Sequence, residues 1–317
     1  MGQVSCRAGQ RLLACLSMVL LAFVCSPTSP AQRRASTVAP SANRSITLHS
    51  QPNAVVWIDE VRRGMTDATG TLVVKNISAG RHNLRLRAVG FRESSTMLRP
   101  AARGSITVRL IRSTDPGELA FQQAELARDD ARDENARRRA VELYRNGIKL
   151  RPRSAVAHLG LARVLLELND YPGALEEIDA AHTFRTSYAE ASAVEGRILR
   201  ASADNDAAIE AFQRAIDEAK GFQPEAHTGL ALVYQDKGQY EEAAAEYRKA
   251  IAQLSDTEPV IYQLLGAVYE KQEKYKEAVA AYEKYLELTP EGNLASAIRS
   301  VMDQLRKQAE GRDGLPY

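Results

Sequence analysis

Side chains equipped for chemistry are few in this chain and poorly grouped. The five histidines, His49, His82, His158, His182 and His227, show no metal-ligand spacing. Asp204-Asn205-Asp206 opens like a calcium loop but lacks the glycine and the closing glutamate that such a loop needs. No phosphate-cradling glycine loop, dinucleotide fingerprint, nucleophile elbow or zinc-protease helix occurs. The cysteines, Cys6, Cys15 and Cys25, all precede residue 32, so thiol catalysis, disulfide staples and cysteine metal sites are excluded beyond that point. These absences predict a protein that is not an enzyme and holds no metal or cofactor. An unannounced carboxylate pair in a groove is the residual enzymatic reading, with Glu195 its candidate.

Arginine is what the chain has in excess, and its distribution is uneven. Residues 32–113 carry 14 basic and 4 acidic side chains, whereas residues 114–317 carry 26 and 36. Such asymmetry marks two modules with different surroundings. Arg85 and Arg87 alternate with Leu84 and Leu86, so on a strand they share the face opposite the core. That basic face suits an acidic polymer, a phospholipid head group or the acidic second half of this same chain; the plainer reading is a solvated outer face. Nucleic acid is not expected, because aromatic residues are few.

With 317 residues and 44% hydrophobic content, the chain has room for about two folded domains. Residues 1–31 read as a secretory signal: Arg7 and Arg11 precede an uncharged apolar run, Leu12 to Cys25, too short to span a bilayer, and Ser29-Pro30-Ala31 offers a cleavage site. Lipid attachment at Cys25, disfavoured by the bulky Val24, and retention as an anchor are the alternatives. Residues 32–43 read as a flexible linker. Over residues 44–113 apolar side chains alternate, as in Ile46/Leu48, Val56/Ile58, Leu84/Leu86 and Ile106/Val108/Leu110, and Gly, Pro and Asn punctuate the runs. This predicts a small antiparallel β-sandwich. The start Ser50-Gln51-Pro52-Asn53-Ala54, the run Val55 to Glu60, the turn Ala79-Gly80-Arg81-His82, Val89-Gly90-Phe91 and Thr107 to Leu110 resemble the PEGA domain, although Asn53 stands where its Glu-Gly pair is expected. The resemblance implies a β module of a bacterial envelope protein.

The second half repeats. Ala140, Ala174, Ala208, Ala243 and Ala278 recur every 34 or 35 residues. Four residues after each lies Tyr144, Ile178, Phe212, Tyr247 or Tyr282, and three further Gly147, Ala181, Ala215, Ala250 or Tyr285, so each set is one buried helix face. Leu161-Ala162, Leu230-Ala231 and Leu265-Gly266 mark a preceding helix, and Pro224 and Pro259 sit at helix starts. These units resemble the tetratricopeptide repeat over residues 117–292, divided at about 121–154, 155–188, 189–223, 224–258 and 259–292, with a capping helix at 293–310 carrying Leu294, Ile298, Val301 and Leu305. The fold class expected is therefore multidomain, all-β then all-α, a sandwich followed by an α-solenoid. Two departures stand out. The opening helix around Arg128-Asp129-Asp130 is charged and reads as frayed or capping. Glu195 occupies a seam position that needs a cation, Arg163 or Arg200, unless a shifted helix leaves it wet.

The resemblance implies a concave groove that holds a protein or peptide, lined here by Arg163, Glu167, Arg197, Arg200, Gln235, Asp236, Gln263 and Lys271. Arg163 and Arg197, at equivalent places in neighbouring units, are placed to grip an acidic segment. The Lys/Asn clamp of chaperone-binding members is missing from those places. The expected function is a non-catalytic exported scaffold of the periplasm or cell envelope, or secreted from it, without a stable membrane anchor. The alternative is a cell-wall or polysaccharide adaptor that works through Arg85 and Arg87.

Overall fold

The computed structural model describes residues 44–59, 61–77, 80–254 and 258–313. The expected leader (1–31) and linker (32–43) lie outside the described residues. Seven strands come first: β1 (Arg44–His49), β2 (Val55–Ile58), β3 (Val61–Met65), β4 (Thr71–Ile77), β5 (His82–Arg87), β6 (Ser94–Leu98) and β7 (Gly104–Thr107). They form two sheets, ordered β4-β1-β7 and β3-β2-β5-β6. All pairs are antiparallel except β1 with β7, which run parallel; the whole second sheet intervenes and supplies the long crossover that parallel neighbours need. The alternating residues meet between the sheets, where Ile46, Leu48, Val56, Leu84 and Leu86 are fully buried with Val74 and Leu98. At one end, the buried Arg44 guanidinium ties two loops together by donating to the carbonyl oxygens of Arg99 (2.7 Å) and Gly80 (3.0 Å).

Among the described residues eleven helices follow: α1 (Pro116–Asp129), α2 (Glu134–Leu150), α3 (Ala155–Glu167), α4 (Tyr171–Phe184), α5 (Ala189–Ala201), α6 (Asn205–Glu218), α7 (Pro224–Asp236), α8 (Tyr240–Leu254), α9 (Pro259–Lys271), α10 (Tyr275–Leu288) and α11 (Ala295–Asp313). Each odd helix packs against the next even one, and that even helix packs in turn on the first helix of the following pair. Asp115, Asp133, Asp170 and Asp204 start four of them, each accepting a hydrogen bond from the first-turn amide three residues on. All five alanines of the periodic column are buried completely, and so are Tyr144, Ile178, Phe212 and Tyr247. The column works because alanine lets the paired helices approach while the large side chain four residues later fills the next gap.

Three expectations change. The charged opening helix is not frayed: α1 is a full fourteen-residue helix whose Phe121 and Ala124 enter the helical core. Glu195 takes neither Arg163 nor Arg200 as partner; Arg214, on α6, pairs with it directly, and His182 of α4 stands 3.6 Å away. On α11 the buried stripe is Ala295, Ile298, Met302 and Leu305 against Tyr282 and Tyr285, while Leu294 stays exposed.

Candidate partner-binding cleft

The polar side of α1 meets the β module. Glu118, Gln122, Glu125 and Asp129 recur at helical spacing and form a stripe beside the one that buries Phe121 and Ala124. Gln122 is 2% exposed because it works as a clip. Its carbonyl accepts from the Gly90 amide (2.8 Å), and its amide donates to the Phe91 carbonyl (2.7 Å) and to Glu118 (2.9 Å). Gly90 has φ +80, a left-handed turn that presents its N–H to this side chain. One turn on, Glu125 accepts from Arg87 at 2.9 Å, from Arg128 at 3.1 Å and from the Tyr144 hydroxyl. Burial alone would raise the Glu125 pKa, but Arg128 and Arg87 outweigh it and hold the carboxyl below its ordinary range. The same burial, reinforced by the Glu125 charge, raises the Tyr144 hydroxyl.

On the facing sheet, Trp57 of β2 lies opposite Arg85 of β5, and Val55 opposite Arg87. The Arg85 guanidinium sits 4.4 Å and that of Arg87 5.4 Å from the Trp57 ring centroid, so both cations flank one aromatic. Arg87 also lies 4.8 Å from the Phe121 ring, and Arg85 reaches Glu190 of α5 at 3.4 Å. Glu93 binds Arg87 at 2.8 Å from within the β module. The solvated outer face expected for Arg85 and Arg87 is therefore corrected: both side chains are only 12% exposed, covered by the acidic helices of the same chain. Glu93 alone does not balance two guanidinium groups within the β module, and α1 and α5 supply further carboxylates.

At the far end of the same sheet, Val61 of β3 packs on the apolar cluster of α7, α8 and α9. The β module thus touches the helical array near its start and near its end. Between these contacts lies a cleft of about 1240 Å³. One wall is the β2–β3–β5 face, and the other is built mainly from the odd-numbered helices. Its rim exposes Met65, Val89, Leu126 and Val260, each 46–57% accessible, which are large apolar surfaces for a rim.

Among the residues expected to line a groove, Arg163, Glu167, Arg197 and Arg200 share this cleft with Arg85 and Arg87. Gln235, Asp236, Gln263 and Lys271 are not among its lining residues. Gln235 instead accepts the buried Tyr247 hydroxyl at 2.5 Å, and Asp236 takes Arg200 at 2.7 Å. Arg197 is paired with Glu225 (3.2 Å) and Glu167 with Arg137 (3.1 Å). Arg163 and Arg62 make no ion pair among the described residues, and both face the cleft. Sequence reasoning missed Trp57, Gln122, Glu125, Tyr188 and Glu190; the i, i+4, i+7 polar stripe of α1 was the available signal. Among the described residues no cluster of three or more His, Cys, Asp or Glu is placed to hold a metal ion, and no helix is long and apolar enough to cross a membrane.

Stacked helical hairpins with a polar inner wall define a helical-repeat scaffold, here joined to a β module. Family models agree on the repeat: residues 117–232 match a tetratricopeptide repeat-like domain and residues 222–291 the tetratricopeptide repeat. Residues 117–291 thus carry tetratricopeptide repeats. Two solved structures, the first two below, show the same helical fold. PilW, a type IV pilus biogenesis factor, is 15% identical at TM-score 0.52, over 64% of this chain and 96% of PilW. A chain of the APC/C hetero-tetramer Cut9-Hcn1 is 16% identical at TM-score 0.51, over 60% of this chain and 36% of its own. MamA is 26% identical over 52% of this chain and 93% of MamA, at TM-score 0.44. No curated protein matches the sequence.

Proposed function

We propose that this chain is a non-catalytic scaffold that holds a segment of a protein partner in the cleft between its β module and its tetratricopeptide repeats. The single observation that carries the reading is the cleft itself. It is open, larger than a small-molecule pocket of about 300–1,000 Å³, rimmed by exposed apolar side chains and faced by Arg163, which makes no ion pair among the described residues. A peptide meets those features with apolar anchors and a carboxylate for Arg163. The finer parts of the reading are that the β module is PEGA-like and associates with a cell envelope, and that residues 1–31 direct export. Envelope-polymer binding through Arg85 and Arg87 is the weaker reading, because both are already engaged by carboxylates. The test is affinity capture from envelope extract with the full chain, comparing Arg163→Glu and Leu126→Glu with Lys284→Glu on the even-numbered helix α10. A partner kept by Lys284→Glu and lost by both cleft variants supports the proposal; equal recovery by all three overturns it. Sequencing the amino terminus of the exported chain, expected at Gln32, tests the leader.

A further inference from the structure

The concave side of this array is not empty, and what fills its first half is chemically specific. Two guanidinium groups and an indole project from β2 and β5 into a recess formed by Phe121, Gln122, Glu125, Tyr188 and Glu190. Most of that recess has a counterpart on the β module. Glu125 and Glu190 receive Arg87 and Arg85, the Phe121 ring lies under Arg87, and Gln122 clips the main chain at Gly90 and Phe91. Tyr188 completes the wall at 2% exposure. The contact is polar at its centre, and it sits beside a cleft left unfilled, unlike a permanently sealed domain core. The larger half of the chain is acidic and the β module basic, so the match extends beyond these few residues.

We propose that the Arg85–Trp57–Arg87 face is a ligand held in cis, and that the recess it fills accepts an arginine- and aromatic-bearing segment of a partner protein in its place. The inference rests on the inner wall being the working surface of the scaffold, and it names the chemistry read at its first half. While the cis face is seated, a competing segment pays for its displacement through a reduced fraction of open molecules. Binding in trans would therefore open the junction and enlarge the accessible groove.

The probe is a fluorescein-labelled peptide, Arg-Leu-Arg-Leu-Trp, with Gln-Leu-Gln-Leu-Trp as control, added to the full chain. Against the Arg85→Glu/Arg87→Glu variant, whose face no longer suits the recess, the arginine peptide is expected to bind about tenfold or more tightly than against the native chain. That binding should weaken with salt and vanish when Glu125→Ala and Glu190→Ala are added, while the glutamine peptide shows no gain from native chain to variant. Equal affinity for native chain and variant, or none for the variant, overturns the proposal. Folding of the variant is checked by its far-ultraviolet circular dichroism, and the emission of Trp57, the only tryptophan, should move to longer wavelength as the face leaves the recess. Native helicity with an unshifted Trp57 emission counts against a contact read through these charges. All of these readings are taken without any cellular partner, so they fail or succeed separately from the capture experiment.

Discussion

Glu125 keeps its charge in a buried place because three donors converge on it, and each belongs to a different element. Replacing it with alanine leaves Arg87 and Arg128 buried with one carboxylate fewer, a loss of about 3 kcal/mol by the cost of breaking buried ion pairs. Urea unfolding of Glu125→Ala, Arg87→Ala and the double variant should show less than additive losses, since the two share one contact. His158 gives a second prediction. Its Nδ1 is 2.6 Å from Glu177 and its Nε2 3.0 Å from the Pro152 carbonyl. Burial would lower its pKa, but these bonds outweigh burial and raise it. A group whose folded pKa is raised contributes stability fully below its unfolded value, about 6.5, and loses it as pH rises through the folded pKa. The melting-temperature gap between native protein and His158→Gln should therefore shrink from pH 6 to pH 8, and a constant gap would refute the assignment. The histidine's role in packing was legible from its repeat of His227, which pairs with Glu246 in the same way at 2.6 Å. The partner of Glu195 was not legible, because Arg214 lies nineteen residues away on a helix whose register only the packing fixes.

At the scale of the helices, small residues decide how closely successive pairs stack. Gly229 of α7 lies directly against the Phe212 ring of the preceding pair, and a Cβ there would fall well inside van der Waals contact. Gly229→Ala should cost about 1–3 kcal/mol through overpacking, and Phe212→Leu in the same chain should recover part of it. The turns inside the hairpins carry a different strain. Asn169, Ala203, Gly238 and Glu273 all adopt positive φ, between 57° and 73°, at equivalent places after α3, α5, α7 and α9. Each closes a reversed hydrogen bond across the helix end, as Gln239 N–H does to the Tyr234 carbonyl at 2.8 Å. Glu273→Gly should therefore raise the unfolding midpoint, by up to about 1 kcal/mol in stability. The alanine column made these hairpins readable, because burial at a fixed period leaves a pattern in the sequence. The turn was readable only at Gly238, since Asn, Ala and Glu in the other three places are tolerated by the fold and give little signal. Arg200 shows the same limit: where Tyr247 and Tyr282 donate to Gln235 and Glu270, Phe212 has no hydroxyl, and Arg200 turns to Asp236 of the next pair.

Across the whole molecule, the β module touches the helical array through two contacts of opposite character. Near the start of the array the contact is ionic, through Arg87, Glu125, Arg85 and Glu190; near its end it is mainly apolar, with Val61 on the α7–α9 cluster and Arg63 within reach of the Glu258 charge. The opposed charges of the halves foreshadowed contact between them, but not where it falls, since pairing between distant segments leaves no local period. Salt shortens the reach of charge from about 8 Å at physiological ionic strength to about 3 Å at 1 M, and although partly buried pairs are screened less, it should weaken the first contact more than the second. Val61→Asp should do the reverse, placing a carboxylate in an apolar seat. Hydrogen exchange followed along the chain separates the two. High salt should speed exchange at the Gly90 amide, which Gln122 otherwise holds, whereas Val61→Asp should speed it in β3 and the first turn of α9 and leave Gly90 protected. If both treatments opened both ends together, the module would be seated as one rigid block, and the groove would have no half that opens alone.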